Sequence, residues 1–247
     1  NVMEIKELKS LLSEFGENVR FEHDLKEKNW FNIGGKSKVF FKAKNLKELV
    51  NFLKKLNGRE KIFILGAGSN TLMTDNLFDG VVIKLSRNFN NISLLGEEII
   101  ISGSAVLDKT LSEFAINNSL SGFEFLSCIP GTIGGGLRMN AGCFGKEFKD
   151  ILLSIQAIDI FGNVITLPAK EIKFEYRKTS LSDDLVFLSA SFKGLKGNEK
   201  KITNLTNELK LKKEKAQPAR IKTSGSTFKN PISQTNKKVW ELIKDSV

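Results

Sequence analysis

Two glycine-rich stretches hold the residues best suited to chemistry. The longer, CIPGTIGGGLRMNAG, runs from Cys128 to Gly142 with five glycines, one proline and no acidic residue. Gly131, Gly134, Gly135 and Gly136 strip side chains from one surface, so a flat ring or a phosphate can come close to the main chain. Pro130 stiffens the approach to them, Thr132 offers a hydroxyl, and Asn140, Ala141 and Gly142 form a second tight turn. Glycine carries an entropy cost in helix and strand alike, so regular structure is not expected here. The shorter stretch, LGAGSN, places Gly66, Ala67 and Gly68 after an apolar run, where backbone N–H groups can converge on an anion, with Ser69 and Asn70 as further donors. It is neither the dinucleotide fingerprint G-x-G-x-x-G nor a P-loop. Each stretch alone is equally well a packing turn. Two in one chain favour an extended, diphosphate-bearing cofactor.

The elements that must position these loops alternate between strand and helix. Apolar residues at helical spacing predict a helix over 4–15, and NLKELVNFLKKL predicts another over 45–56, capped by Asn45. Strands are expected at 39–41, 62–65 and 80–85. Hairpins are expected about Gly96-Glu97 and about Gly162-Asn163. A helix is predicted over 107–120, a strand over 185–193, a polar helix over 198–216 ended by Pro218, and a short helix over 238–244. Hairpins mixed with helices give an α+β chain of at least two layers, with a boundary near 194–197.

Composition narrows the chemistry. The chain has 247 residues, and no apolar run approaches the roughly 20 residues a spanning helix needs. Its N-terminus reads as an amphipathic helix rather than a signal peptide, which gives a cytoplasmic expectation. Net charge is +10. That admits a nucleic-acid partner, or a lysine-rich composition with some attraction for an anionic substrate; the scattered lysines argue against nucleic acid. Cys128 and Cys143 have no zinc spacing, His23 is the only histidine, and no carboxylates cluster, so no metal is expected. A histidine-based triad is all but excluded. A disulfide is open to the two cysteines but is not expected in a reducing compartment.

In chain order the sequence also shows NWFNIGG, LGAGSN, GFEFLSCIPGTIGGGLRMNAG, FEYRKTS and GSTFKNP. This combination closely resembles the UDP-N-acetylenolpyruvoylglucosamine reductase (MurB) family, flavoenzymes of bacterial peptidoglycan synthesis, from Leu25 onward. Lacking a long insertion near the sugar site, the chain is similar to the shorter type. The resemblance implies a two-subdomain, α+β FAD-binding fold of the p-cresol methylhydroxylase type, over residues 1–85 and 86–196, then a partial α/β substrate-binding domain over 197–247. Gly66, Ala67, Gly68, Ser69 and Asn70, with Pro130, Gly131, Thr132, Ile133, Gly134, Gly135, Asn140, Ala141 and Gly142, would hold FAD non-covalently. NADPH would reduce the flavin, which would pass hydride to the enolpyruvyl double bond of the UDP-sugar to give UDP-N-acetylmuramate. Arg177 would bind the substrate carboxylate and steady its developing charge, with Tyr176 beside it. Ser226 would donate the proton, while Lys229 and Asn230 would hold the diphosphate or sugar. Arg220 and Lys222 are further candidates for the uridine diphosphate.

The family continues past WELI to a late catalytic glutamate, which no residue here matches, so the chain as given is expected to turn over little even if it binds FAD. The resemblance further implies a monomer with no membrane or nucleic-acid partner. The competing expectations are another FAD-dependent oxidoreductase of the same fold, a basic nucleic-acid binder, and an inactive truncated remnant.

Overall fold

Four strands form the first sheet of the computed structural model, which describes residues 3–24, 36–65, 77–176, 178–182 and 184–216. They are β1 (Val19–Asp24), β2 (Lys36–Ala43), β3 (Ile62–Ile64) and β4 (Leu77–Leu85), in the order β1-β2-β4-β3. β1 runs antiparallel to β2, while β2 and β3 both pair with β4 in parallel. A parallel neighbour needs a crossover, and α2 (Leu46–Leu56) supplies it. Its buried face is Leu49, Phe52, Leu53 and Leu56, one stripe at helical spacing. The cap is the predicted one: Asn45 Oδ1 accepts the Glu48 N–H at 2.9 Å.

The N-terminal helix is shorter than its periodicity suggests. α1 spans Ile5–Leu11, after which Ser13–Asn18 tighten into a 3₁₀ turn. Packing explains the change, because the turn carries Phe15 into the core against Phe41 and Phe52 at 5.5 and 5.4 Å, and those two rings stack at 3.8 Å. One ion pair is enclosed here: Lys38 Nζ lies 3.0 Å from Glu60, whose carboxylate also accepts the Met3 N–H.

The second sheet is antiparallel and has five strands: β5 (Ile92–Leu95), β6 (Ile99–Gly103), β7 (Leu152–Ile158), β8 (Val164–Pro168) and β9 (Val186–Lys193), in the order β8-β7-β9-β6-β5. Its hairpins turn at the predicted glycines, Gly96 and Gly162. Between β6 and β7 the chain leaves the sheet for α3 (Asp108–Asn117), a 3₁₀ turn (Glu124–Cys128) and α4 (Ile133–Met139). These cover a core that includes Phe123, Phe125, Phe148, Ile155 and Phe192. The two layers meet where Ile158, Val186 and Leu188 of the second sheet join the core of the first. The last helix among the described residues, α5 (Glu199–Ala216), packs on the 124–128 turn and α3, burying Ile202 and Thr206. The architecture is α+β, as the sequence predicts.

Candidate functional site

The glycine loop differs from its expectation in one respect: its middle is helical. Thr132 caps α4, with its Oγ1 accepting the Gly135 N–H at 3.2 Å, and Asn140 ends the helix in the left-handed conformation at φ 45°. Packing overrides propensity. A Cβ on Gly136 would stand 2.4 Å from Cε2 of Phe148, and one on Gly134 would stand 3.2 Å from Cβ of Ser104. Only a bare backbone approaches so closely. Gly131, at φ 126°, makes the turn into the helix.

Gly135 is different. It is exposed, and a Cβ there would meet only Thr132 Oγ1, at 3.5 Å. Among the described residues nothing packs against it that requires a glycine. A bare, exposed position between two packed glycines is a place where a flat ligand can lie on main chain, so the loop fits a cofactor with a ring or diphosphate.

The loop is fastened to the segment that leads into α3. Ile133 N–H donates to Val106 O at 2.8 Å, Gly134 N–H to Ser104 O at 2.9 Å, and Asp108 N–H to Gly131 O at 2.9 Å. The N–H groups of Ile133, Gly134 and Gly135 are bonded within the protein, and what the loop offers is side-chain-free surface.

Beneath the loop lies a polar group that sequence reasoning missed. Asp108 is 1% exposed, and among the described residues neither carboxylate oxygen has a hydrogen-bond partner. Ser104 Oγ and Ser112 Oγ, the latter one turn along α3, are likewise buried and without a partner among the described residues. Burial pushes the Asp108 carboxyl well above the ordinary carboxylate range, because desolvation penalises its charged form. Nothing in LDKTLSEF marks that aspartate as buried; a charged residue opening a helix reads as solvent-facing.

Of the predicted cofactor residues beyond α4, Asn140 and Ala141 lie inside the protein. Asn140 Nδ2 donates to Glu147 Oε2 at 3.3 Å and to Glu175 O at 3.2 Å, and its Oδ1 accepts the Lys149 N–H at 3.1 Å. Ala141 N–H donates to Gly136 O. Gly142 opens a small hairpin, Gly142–Cys143 with Lys146–Glu147, where a Cβ would clash with Lys146 O at 2.5 Å. These three brace the loop, and through Glu175 they tie it to a second hairpin, Phe174–Glu175 with Lys178–Thr179, which leads into half-buried Tyr176. Arg138 adds another tie: its guanidinium sits 4.4 Å from the Phe187 ring and donates to the carbonyls of Ser182 and Leu185. Pro130 is half-buried and Ile133 fully buried. Gly66, Ala67, Gly68, Ser69, Asn70, Arg177, Ser226, Lys229 and Asn230 lie outside the described residues, as do Arg220, Lys222 and the predicted helix over 238–244.

Comparison with known proteins agrees with the fold. Residues 37–168 match the family model described as FAD binding domain. The chain is 63% identical over 245 residues to the UDP-N-acetylenolpyruvoylglucosamine reductase of Pelagibacter ubique, covering 99% of this chain and 81% of that protein. It is 44% identical over 222 residues to the enzyme of the same name from Rickettsia typhi, covering 90% and 74%. Among solved structures, UDP-N-acetylenolpyruvylglucosamine reductase (MurB) from Thermus caldophilus superposes with a TM-score of 0.78 at 27% identity, over 92% of this chain and 79% of that one.

Proposed function

The chain belongs to the UDP-N-acetylenolpyruvoylglucosamine reductase family, and on that premise we propose that its glycine loop carries FAD for the NADPH-dependent reduction of UDP-N-acetylglucosamine enolpyruvate to UDP-N-acetylmuramate. The observation that carries this reading is the bare, exposed Gly135 between two tightly packed glycines, inside the matched FAD-binding segment. FAD, when bound, supplies the hydride relay between nicotinamide and enolpyruvyl carbon.

The chain's own residues bind, orient and protonate. Gly131 and Gly135 present main chain without bulk. Asn140 and Arg138 hold α4 against the 174–179 hairpin and β9, so that the cofactor surface and the segment before Arg177 are parts of one braced unit. Hydride addition beside a carboxylate spreads negative charge into it, and the fork of Arg177 is the donor suited to that charge. Ser226 gives its hydroxyl proton to the neighbouring carbon, and Lys229 with Asn230 holds the diphosphate or sugar. A serine is a weak acid, so its role requires a water-poor site. The protein acts as a monomer in the cytoplasm; no helix among the described residues is long and apolar enough to cross a membrane.

The test is spectroscopic. The full chain is loaded with FAD, freed of excess and mixed anaerobically with NADPH, then with the enolpyruvyl UDP-sugar. Bleaching of the flavin by the first and recovery of its colour by the second are expected. Slow recovery is what the unmatched late glutamate implies, recovery by a different acceptor but not by the enolpyruvyl UDP-sugar would assign the chain another substrate, and failure to retain flavin would overturn the reading.

A further inference from the structure

The two cysteines stand at the two ends of the glycine loop, and the reductase chemistry uses neither. Cys128 closes the 124–128 turn, and Cys143 lies in the hairpin after Asn140, opposite Lys146. All of α4 lies between them, yet the turn and the hairpin pack together. Neither is in a disulfide; Cys128 is 6% exposed and Cys143 is half-buried. The Cys143 side chain is the main hydrogen-bonding neighbour of the Cys128 thiol. Ser127 Oγ lies 3.6 Å from the same sulfur, and the ammonium groups of Lys213 and Lys210 approach from α5. The Cys143 hydrogen bond, with help from Ser127 and the two lysines, outweighs desolvation and brings the Cys128 thiol down to about 6. Cys128 is therefore largely thiolate at neutral pH, the form that reacts with oxidants.

We propose that Cys128 and Cys143 are a hydroperoxide-oxidised pair that closes to a disulfide across the base of the glycine loop. The Cys128 thiolate attacks the peroxide oxygen. An S–O bond forms, the O–O bond breaks, and the departing hydroxide or alkoxide takes up a proton. The Cys143 thiol then attacks the Cys128 sulfenic sulfur. An S–S bond forms, the S–O bond breaks, and hydroxide leaves with the thiol proton as water. The peroxide is reduced by the two electrons that the sulfurs lose. Packing of the 142–143 strand on the 124–128 turn places Cys143 to resolve the sulfenic acid before a second oxidation. The buried position of Cys128 favours a small oxidant. The product tethers both flanks of α4, the helix that carries the bare surface at Gly135.

The experiment treats the full chain with a modest excess of hydrogen peroxide, removes the excess with catalase, then counts thiols under denaturing conditions and measures the intact mass. Both thiols should vanish with loss of two hydrogens from a monomeric chain, and dithiothreitol should restore them. Cys143→Ser should stop at the sulfenic acid, captured on Cys128 by dimedone, and Cys128→Ser should leave Cys143 reduced at the same dose. The rate of thiol loss in the wild type should already be close to its plateau at pH 7, where an ordinary thiol would still be accelerating with pH. Two surviving thiols, an intermolecular dimer, or a dimedone adduct on the wild type in place of the disulfide would overturn the proposal. Should a variant fail to fold, the wild-type thiol count and mass decide alone.

Discussion

Every hydrogen-bonding atom type of the Asn140 carboxamide is engaged inside the protein, on Glu147, Glu175 and Lys149, and its backbone is left-handed. Asn140→Ala would remove those bonds, each worth about 1 kcal/mol, and put a Cβ without a local partner into the left-handed region at a cost of about 1 kcal/mol more. A loss of about 4 kcal/mol in urea unfolding is expected, with a smaller loss for Asn140→Gly, which suits that backbone. Asp108 gives a pH signature. Its carboxyl is raised by burial in the folded state, so its contribution to stability is fully present below the unfolded value near 4 and is lost as pH rises through the higher folded value. The wild type should therefore lose more stability than Asp108→Asn between pH 4 and pH 7.5, measured as urea midpoints; equal slopes would show that Asp108 is not neutral when folded. Ser226→Ala should leave NADPH bleaching of the flavin intact and slow recovery of colour by substrate roughly 10²–10⁴-fold, the range for a lost proton donor. Equal damage to both steps would make Ser226 structural.

At the scale of elements, α4 is where sequence and structure diverge, and its glycines divide by role. Gly136→Ala would press a Cβ into the Phe148 ring and should destabilise by about 1–3 kcal/mol, as overpacked cores do, read as a fall in the urea midpoint. The helices and hairpins elsewhere were legible because their signals are local. Leu49, Phe52, Leu53 and Leu56 repeat at helical spacing behind an Asn45 cap, and Gly96 and Gly162 mark turns between apolar runs. α4 was not, since three successive glycines at about 1 kcal/mol each argue against a helix, and what reverses them is Phe148 and Ser104, contacts no local pattern reveals. The same holds for the site. The glycine loop could be picked out by composition, but the inward turn of Asn140, the burial of Asp108 and the meeting of Cys128 with Cys143 depend on which segments the sheets bring together.

Across the whole molecule, two sheets share a core through Ile158, Val186 and Leu188, and the site-bearing segment between β6 and β7 is fixed at both ends by β-strands of the second sheet. A cofactor held by so braced a loop binds the folded chain and not the unfolded one, so it should raise thermal stability in proportion to the logarithm of its concentration over its dissociation constant. Gly135 makes that expectation specific. An alanine there has room and is a better helix former, so apoprotein stability should hold or rise by about 0.5–1 kcal/mol, while the added methyl occupies the surface assigned to FAD. The most direct measurement is the melting temperature of the full wild-type chain and of Gly135→Ala across an FAD titration. The account predicts a rise with FAD for the wild type, and a variant that melts no lower than the wild type without FAD but gains little from it. A wild type that does not respond to FAD, or a variant that responds as fully as the wild type, would contradict it.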